Sequence, residues 1–187
     1  DPVLESRSTA SPDMYRRLHA LFTAGGPDNA DAILALSRGE PVTEVRPFPR
    51  FGYWLPERGI VDEIAPDARP AVPILFYRAA LEGAGTGTLE ALIDRLSGRN
   101  LRPLPLMIST LKEAACVRFV RSAFAAHNPQ AILNLTGFAL GFDGLADELN
   151  PFAESDCPVI QLIQGGRPET QWAADMQGLT AKDLAMQ

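Results

Sequence analysis

From Ala71 onward, short apolar runs alternate with amphipathic segments, and that alternation narrows the fold more than any other feature. The runs fall at residues 72–77, 104–108, 131–135 and 159–163. Each is short and apolar throughout, the pattern of a strand covered on both faces. After the first run and a loop over 82–87, Leu89, Leu92, Ile93 and Leu96 recur at helical spacing, and Gly98 stands where a helix-ending glycine belongs. Residues 112–126 read as a second helix with Cys116, Phe119, Val120 and Ala123 on one face, and 168–176 as a last one ending near Gly178. Strands separated by helices predict an α/β domain built on a parallel sheet. Right-handed crossovers then favour a flavodoxin-like open sheet of about four strands with helices on both faces.

Two different segments come before it. Ser11-Pro12-Asp13 is a helix start, with Ser as cap, Pro at the first helical position and an acid in the first turn. Met14, Leu18, Leu21 and Phe22 follow at helical spacing, and Gly25-Gly26 stops them. A second helix starts near Asp28, is expected to bury Ile33, Leu34 and Leu36, and ends at Gly39. Residues 41–70 hold six of the 16 prolines, interleaved with Phe48, Phe51, Tyr53 and Trp54. Proline lacks the N–H a ladder needs, so this density forbids a long helix and disfavours a central strand. The expected organisation is a helical segment at 1–40, a proline- and aromatic-rich connecting arm at 41–70, and the α/β domain at 71–187.

Composition removes several functions. The net charge is −6, and residues 1–69 and 70–187 each net −3, so no basic region is present to bind nucleic acid. Neither a membrane-spanning apolar run nor a basic–apolar leader is read, and a cytoplasmic setting is expected. Cys116 and Cys157 form no metal or disulfide pattern and read as core thiols. The first residue is Asp and the last residues read as mid-element sequence, so a piece of a longer chain is expected.

In an open parallel sheet, ligands gather beyond the carboxyl ends of the strands. That rule selects four loops: Arg78-Ala79-Ala80, Ser109-Thr110, Thr136-Gly137-Phe138-Ala139-Leu140-Gly141 and Gln164-Gly165-Gly166-Arg167. Arg78 and Arg167 would supply positive charge, and the glycines would let backbone N–H groups approach an anion. The simpler reading is that many such loops are inert. The run Gly83-Ala84-Gly85-Thr86-Gly87 has the spacing GxGxG and no ribose-binding acid after the next strand, so it reads as a surface loop rather than a dinucleotide cradle. No Walker pattern is present. His19 and His127 lie in helices without a second ligand nearby, His127 at a helix end that favours a cation. Asp147-Glu148, with Glu154 and Asp156, could hold a divalent ion but reads more simply as a solvated face. The rings from Phe48 to Trp54 could stack on a flat macrocycle, yet pinning the arm to its own domain explains them as well.

Four stretches together resemble the CobN and magnesium-chelatase large-subunit family. They are Val72-Pro73-Ile74-Leu75-Phe76-Tyr77-Arg78, leading to Ala91-Leu92-Ile93; Leu101-Arg102-Pro103-Leu104-Pro105-Leu106; Leu135-Thr136-Gly137-Phe138-Ala139-Leu140; and Cys157-Pro158-Val159-Ile160-Gln161-Leu162. Trp172, Gly178-Leu179 and Asp183-Leu184-Ala185-Met186 follow the last of these. Phe76-Tyr77-Arg78 and Gln164-Gly165-Gly166 resemble the cobalt branch more than the magnesium branch. The resemblance implies a large cytoplasmic subunit that binds a tetrapyrrole, hydrogenobyrinic acid a,c-diamide, and receives Co²⁺ in aerobic cobalamin synthesis. It also implies AAA+ partner subunits that hydrolyse ATP, and the remainder of the large subunit as a further partner. By this resemblance Arg78, Thr136, Gly137 and Gln164 are candidate substrate-facing or structural residues, with no catalytic or metal-binding role assigned. No cofactor is expected on this chain, which is expected to be inactive alone. Two alternatives stand beside this reading: a module that only shapes the subunit or docks its partner, and a stand-alone flavodoxin-like domain for a small anion.

Overall fold

A computed structural model describes residues 3, 7, 9, 11–42, 44–65, 67–83, 85–137, 150–153, 155–165, 168–174 and 178. The chain divides into two compact units, one of residues 1–49 with 81–83, the other of 50–80 with 84–187.

The first unit is a helix pair. Helix α1 (Pro12–Ala24) is capped by Ser11, whose hydroxyl accepts from the Met14 N–H at 3.2 Å, and Arg17 meets Asp13 one turn away. Gly25 and Gly26, with φ of 68° and 85°, turn the chain into α2 (Pro27–Ser37). A Cβ on Gly26 would lie 2.7 Å from the Phe48 ring, so glycine is required there for both conformation and space. Leu21 and Leu36 are buried, but Leu34 is 55% exposed, contrary to the expectation that α2 buries it. The buried positions of α2 are Asn29 and Leu36, seven residues apart on one narrow stripe, and Leu34 falls outside that stripe. Asn29 is 2% exposed and fastens the following segment: its side-chain carbonyl accepts from Arg46 N–H, and its amide donates to the Arg46 and Gly25 carbonyls.

Among the described residues, the second unit is built on a mixed six-stranded sheet. From residue 50 the chain order is β1 (Phe51–Leu55), β2 (Gly59–Val61), β3 (Ala71–Tyr77), α3 (Ala79–Glu82, divided between the units after Ala80), α4 (Thr86–Ser97), β4 (Arg102–Ile108), α5 (Ala114–His127), β5 (Ile132–Asn134), β6 (Val159–Gln161) and α6 (Glu169–Ala174). The strand order is β2-β1-β4-β3-β5-β6. Strands β4, β3, β5 and β6 are parallel and occupy the four predicted positions. The sheet nevertheless has six strands rather than about four, because the arm supplies β1 and β2, paired antiparallel with each other and, through β1, with β4. The prolines of the arm flank its strands, with Pro56 in the hairpin turn, and none lies within β1 or β2. Proline density therefore marked the boundaries of strands rather than their absence.

Prolines inside β3 and β4 obey the same rule. Arg102 N–H donates to Pro70 and Ser109 N–H to Arg50, so even residues of β4 face β3 and odd residues face β1. Pro103 and Pro105 thus turn their missing donors toward β1, which pairs only with Leu106, Met107 and Ile108. Pro73 faces β5 at the start of a ladder that begins at Ile74.

Both faces of the central strands are covered, which is why they are apolar throughout. Helix α5 buries Cys116, Val117, Val120, Ala123 and Phe124 against Tyr53, Leu75, Leu106 and Ile108. Phe119 of the same helix is only half-buried, with its ring 5.0 Å from Phe51. The alternate residues point the other way, where Trp54 meets Phe76 edge to face and α4 packs along β4. Gly98 is in right-handed conformation, and the left-handed turn after α4 is made by Asn100, with φ of 57°. Asn128 makes the equivalent turn after α5.

Candidate functional site

Strand order locates the topological switch point, where an open sheet is expected to form its crevice. The connection leaving β3 leads to β4 on one side, whereas the one leaving β5 leads to β6 on the other. Adjacent strands whose connections diverge open a cleft beyond their carboxyl ends. Arg78 follows β3 there, and Thr136-Gly137 follow β5.

Arg78 is half-buried, and its N–H donates to the Ile108 carbonyl at 2.7 Å, extending the β3–β4 ladder into the loop. Beside it the chain builds a closed polar network. Asn134, 2% exposed, accepts on Oδ1 from both the N–H and the hydroxyl of Thr136, at 3.1 and 2.7 Å. Its Nδ2 donates to Gln161 Oε1 at 2.7 Å, and Gln161 Nε2 donates to the Thr136 carbonyl at 2.8 Å. The Tyr77 hydroxyl shares a hydrogen bond with Thr136; burial raises the Tyr77 pKa and this bond partly offsets it. Thr136 is fully buried, so its side chain sets the geometry beneath the crevice. Gly137 is half-buried above it, and Gln164 is exposed, three residues past the end of β6. Sequence reasoning selected Arg78, Thr136, Gly137 and Gln164 but missed Asn134 and Gln161. A polar residue closing an otherwise apolar strand was the available signal at both positions.

Several other candidates lie outside the described residues: Phe138, Ala139, Leu140 and Gly141, the pair Asp147-Glu148, Glu154, Gly166-Arg167, Leu179, and the stretch from Asp183 to Met186. Ala84 is also outside them, whereas Thr86 and Gly87 form the first turn of α4. Cys116 is buried 3.4 Å from the Ser109 hydroxyl, and Cys157 is held above the usual thiol range by burial and by Asp156. The described residues contain no cluster of three or more His, Cys, Asp or Glu able to hold a metal ion. No described helix is long and apolar enough to cross a membrane.

His127 corrects an electrostatic expectation. Rather than offering a cation to the helix end, it lies between the Arg102 guanidinium, 2.8 Å from Nδ1, and the Tyr53 hydroxyl, 3.1 Å from Nε2. A guanidinium only donates, so Nδ1 accepts and the ring proton of the neutral imidazole sits on Nε2, donating to Tyr53. Burial, with Arg102 adding to it, lowers the His127 pKa. The arm's rings are likewise committed: Tyr53 and Trp54 are interior, and Phe51 stacks on Phe119.

Comparison with known proteins adds kinship to this geometry. The family described as CobN/Magnesium Chelatase matches residues 19–187. An aerobic cobaltochelatase subunit CobN from Sinorhizobium sp is 36% identical over 204 aligned positions, and one from Pseudomonas aeruginosa is 32% identical over 197. All of this chain is covered in both cases, but it spans only 16% of either relative. Among solved structures, the catalytic subunit of cobaltochelatase from Mycobacterium tuberculosis superposes with a TM-score of 0.70 at 27% identity, over 100% of this chain and 16% of that one. Matched over nearly its whole length, the chain belongs to the CobN/magnesium chelatase family.

Proposed function

We propose that this chain is part of the large, tetrapyrrole-binding subunit of an ATP-dependent cobalt chelatase, and that its crevice holds one edge of hydrogenobyrinic acid a,c-diamide. The single observation that carries the reading is Arg78, half-buried at the point where the β3 and β5 connections diverge. A diamide of a polycarboxylic macrocycle keeps free carboxylates at its rim. An arginine fork pairs with a carboxylate through two parallel hydrogen bonds. Thr136, with Asn134 and Gln161, holds the β5 exit so that the backbone at Gly137 faces the same crevice, and Gln164 flanks it. The order β4-β3-β5-β6 supports a flavodoxin-like winding of the parallel strands. In this reading residues 41–70 join the helical segment to that domain.

Metal insertion into this corrin-type macrocycle requires its ring N–H proton to leave and Co²⁺, a substrate here, to shed its water. We assign the proton acceptors and the metal-delivering ligands to other parts of the large subunit, and ATP hydrolysis to AAA+ partner subunits in the cytoplasm. This segment contributes binding and orientation. A second reading, a purely structural or partner-docking module, is favoured by one observation: the network under the crevice is satisfied within itself.

Titration of the purified chain with hydrogenobyrinic acid a,c-diamide separates the two. Trp172, 42% exposed and 4.0 Å from where a Gly165 side chain would begin, is the reporter, whereas Trp54 is interior. Saturable quenching that Arg78→Ala weakens at least about tenfold, with the circular dichroism unchanged, supports the substrate reading; loss of one charged hydrogen-bonded pair is worth about that much. Absence of saturable quenching in the unaltered chain favours the structural one.

A further inference from the structure

The two edges of the sheet are finished differently. One ends in β2, three residues long and joined to β1 by a tight turn. The other ends in β6. Pairing with β5 uses the main chain of Pro158, Ile160 and Leu162: the Pro158 carbonyl accepts from Ile132 at 2.9 Å, and Leu162 N–H donates to Asn134 at 2.8 Å. Peptide groups alternate direction along a strand, so those of Val159, Gln161 and Ile163 point away from β5. No described strand lies against them.

The side chains are equally unfinished. Val159 and Ile160 are successive residues and so lie on opposite faces, yet they are 41% and 46% exposed. Ile163 and Trp172 continue the patch at 39% and 42%. In β3, Ala71 through Phe76 are all buried. Natural edges carry lysines, prolines or bulges that block pairing, and Val159-Ile160-Gln161 carries none. It has the make-up of an interior strand. A second copy of the chain is a poor occupant, because two three-residue strands offer far less than the roughly 1,000 Å² a stable association buries. The relatives, by contrast, continue for many times the length of this chain, which spans 16% of them.

We propose that in the assembled large subunit β6 is an interior strand, paired along its outer edge with a β-strand supplied by another part of the same subunit. That strand bonds to the outward peptide groups of Val159, Gln161 and Ile163, and it brings apolar side chains to both faces, covering Val159 on one and Ile160 on the other. The inference goes beyond the crevice reading and is independent of whether the crevice binds a tetrapyrrole.

Hydrogen exchange resolved to single amides, on this chain and on the full-length large subunit, tests it. In the chain alone, Ile160 and Leu162 exchange slowly while Val159, Gln161 and Ile163 exchange fast. In the full subunit the three outward amides slow by about 100-fold or more, as amides of an interior strand do. Val159→Pro, which deletes an outward donor and no bond to β5, then restores fast exchange at Gln161 and Ile163. Should that variant misfold, Ile160→Lys, which charges one exposed face, reads out the same loss. Equally fast outward amides in chain and subunit would overturn the proposal. So would protection that appears in the chain alone together with a dimer in sedimentation, which would make a second copy the occupant.

Discussion

Replacing Asn134 by alanine tests whether the polar network beneath the crevice is as dry as its geometry indicates. The change removes one acceptor that serves two donors, and one donor that serves Gln161. Three groups lose partners, and they do not fare alike. The Thr136 N–H is held in a fully buried residue and stays unsatisfied, which costs about 1–3 kcal/mol. The Thr136 hydroxyl can rotate toward Tyr77, with which it already shares a bond, and loses less. Gln161 is half-exposed and finds water. The expected loss is about 2–4 kcal/mol, a large share of the roughly 5–15 kcal/mol that holds an ordinary domain together. Asn134→Asp should lose at least as much near neutral pH, because an oxygen would then face Gln161 Oε1 from 2.7 Å. Turning the Gln161 amide to relieve that clash sacrifices its bond to the Thr136 carbonyl. Urea unfolding followed by far-ultraviolet circular dichroism measures both. Combining Asn134→Ala with Thr136→Val in a double-mutant cycle should give a coupling of about 1 kcal/mol or more. A loss below about 0.5 kcal/mol for Asn134→Ala, within the range of ordinary surface substitutions, would refute the argument by showing that water reaches Thr136.

Other sites give sharper single readouts. The folded-state pKa of His127 lies below its ordinary value, so the unfolded chain takes up the proton first as pH falls. The stability that His127 contributes is therefore complete above about pH 6.5 and declines as pH drops from there toward the folded-state value, and His127→Gln should flatten urea midpoints measured between pH 8 and pH 5. Asn29→Ala should release the segment around Arg46 from the helix pair, costing about 1–3 kcal/mol of local stability. Accelerated hydrogen exchange or proteolysis near residue 46, with the sheet unaffected, is the signature. Leu106→Ala, at a fully buried position central to the α5 face, should cost about 2–5 kcal/mol in urea unfolding.

The sequence displayed the parallel half of the sheet openly because β3 to β6 obey one rule each. Apolar runs such as Ile74-Leu75-Phe76 are buried on both faces, and the stripe through Cys116, Val120 and Ala123 is the buried face of α5. It hid β1 because the proline rule concerns individual donors, and a count of prolines over 41–70 averages across positions that matter differently. Phe51 to Leu55 contain none, and Pro103 and Pro105 are tolerated in an interior strand because their missing donors face a side where β1 no longer pairs. The crevice loops were legible from the carboxyl-end rule. The network below them was not, since Asn134 and Gln161 become partners only when β5 and β6 are set side by side. The same holds for His127, whose pKa is lowered by burial and then by Arg102, 25 residues away in sequence.

The division of labour at the crevice follows from counting hydrogen-bonding capacity. Asn134 Oδ1 already accepts twice, Thr136 donates its hydroxyl proton inward, and Gln161 uses both ends of its amide within the network. A ligand that took over the Asn134 acceptor or the Thr136 hydroxyl proton would break buried bonds, and losing a buried bond costs about as much as one new bond returns. The network is therefore suited to fixing the direction in which β5 leaves the sheet, not to recognising a substrate. In the proposed reading, recognition falls to a multi-donor group on a rigid base. Arg78 has five N–H donors and is anchored through its own backbone to Ile108. In that reading, changes at Thr136 or Asn134 belong on a stability axis and changes at Arg78 on a binding axis. A chain in which both kinds of substitution moved stability alone would be a scaffold of its subunit, whatever its family.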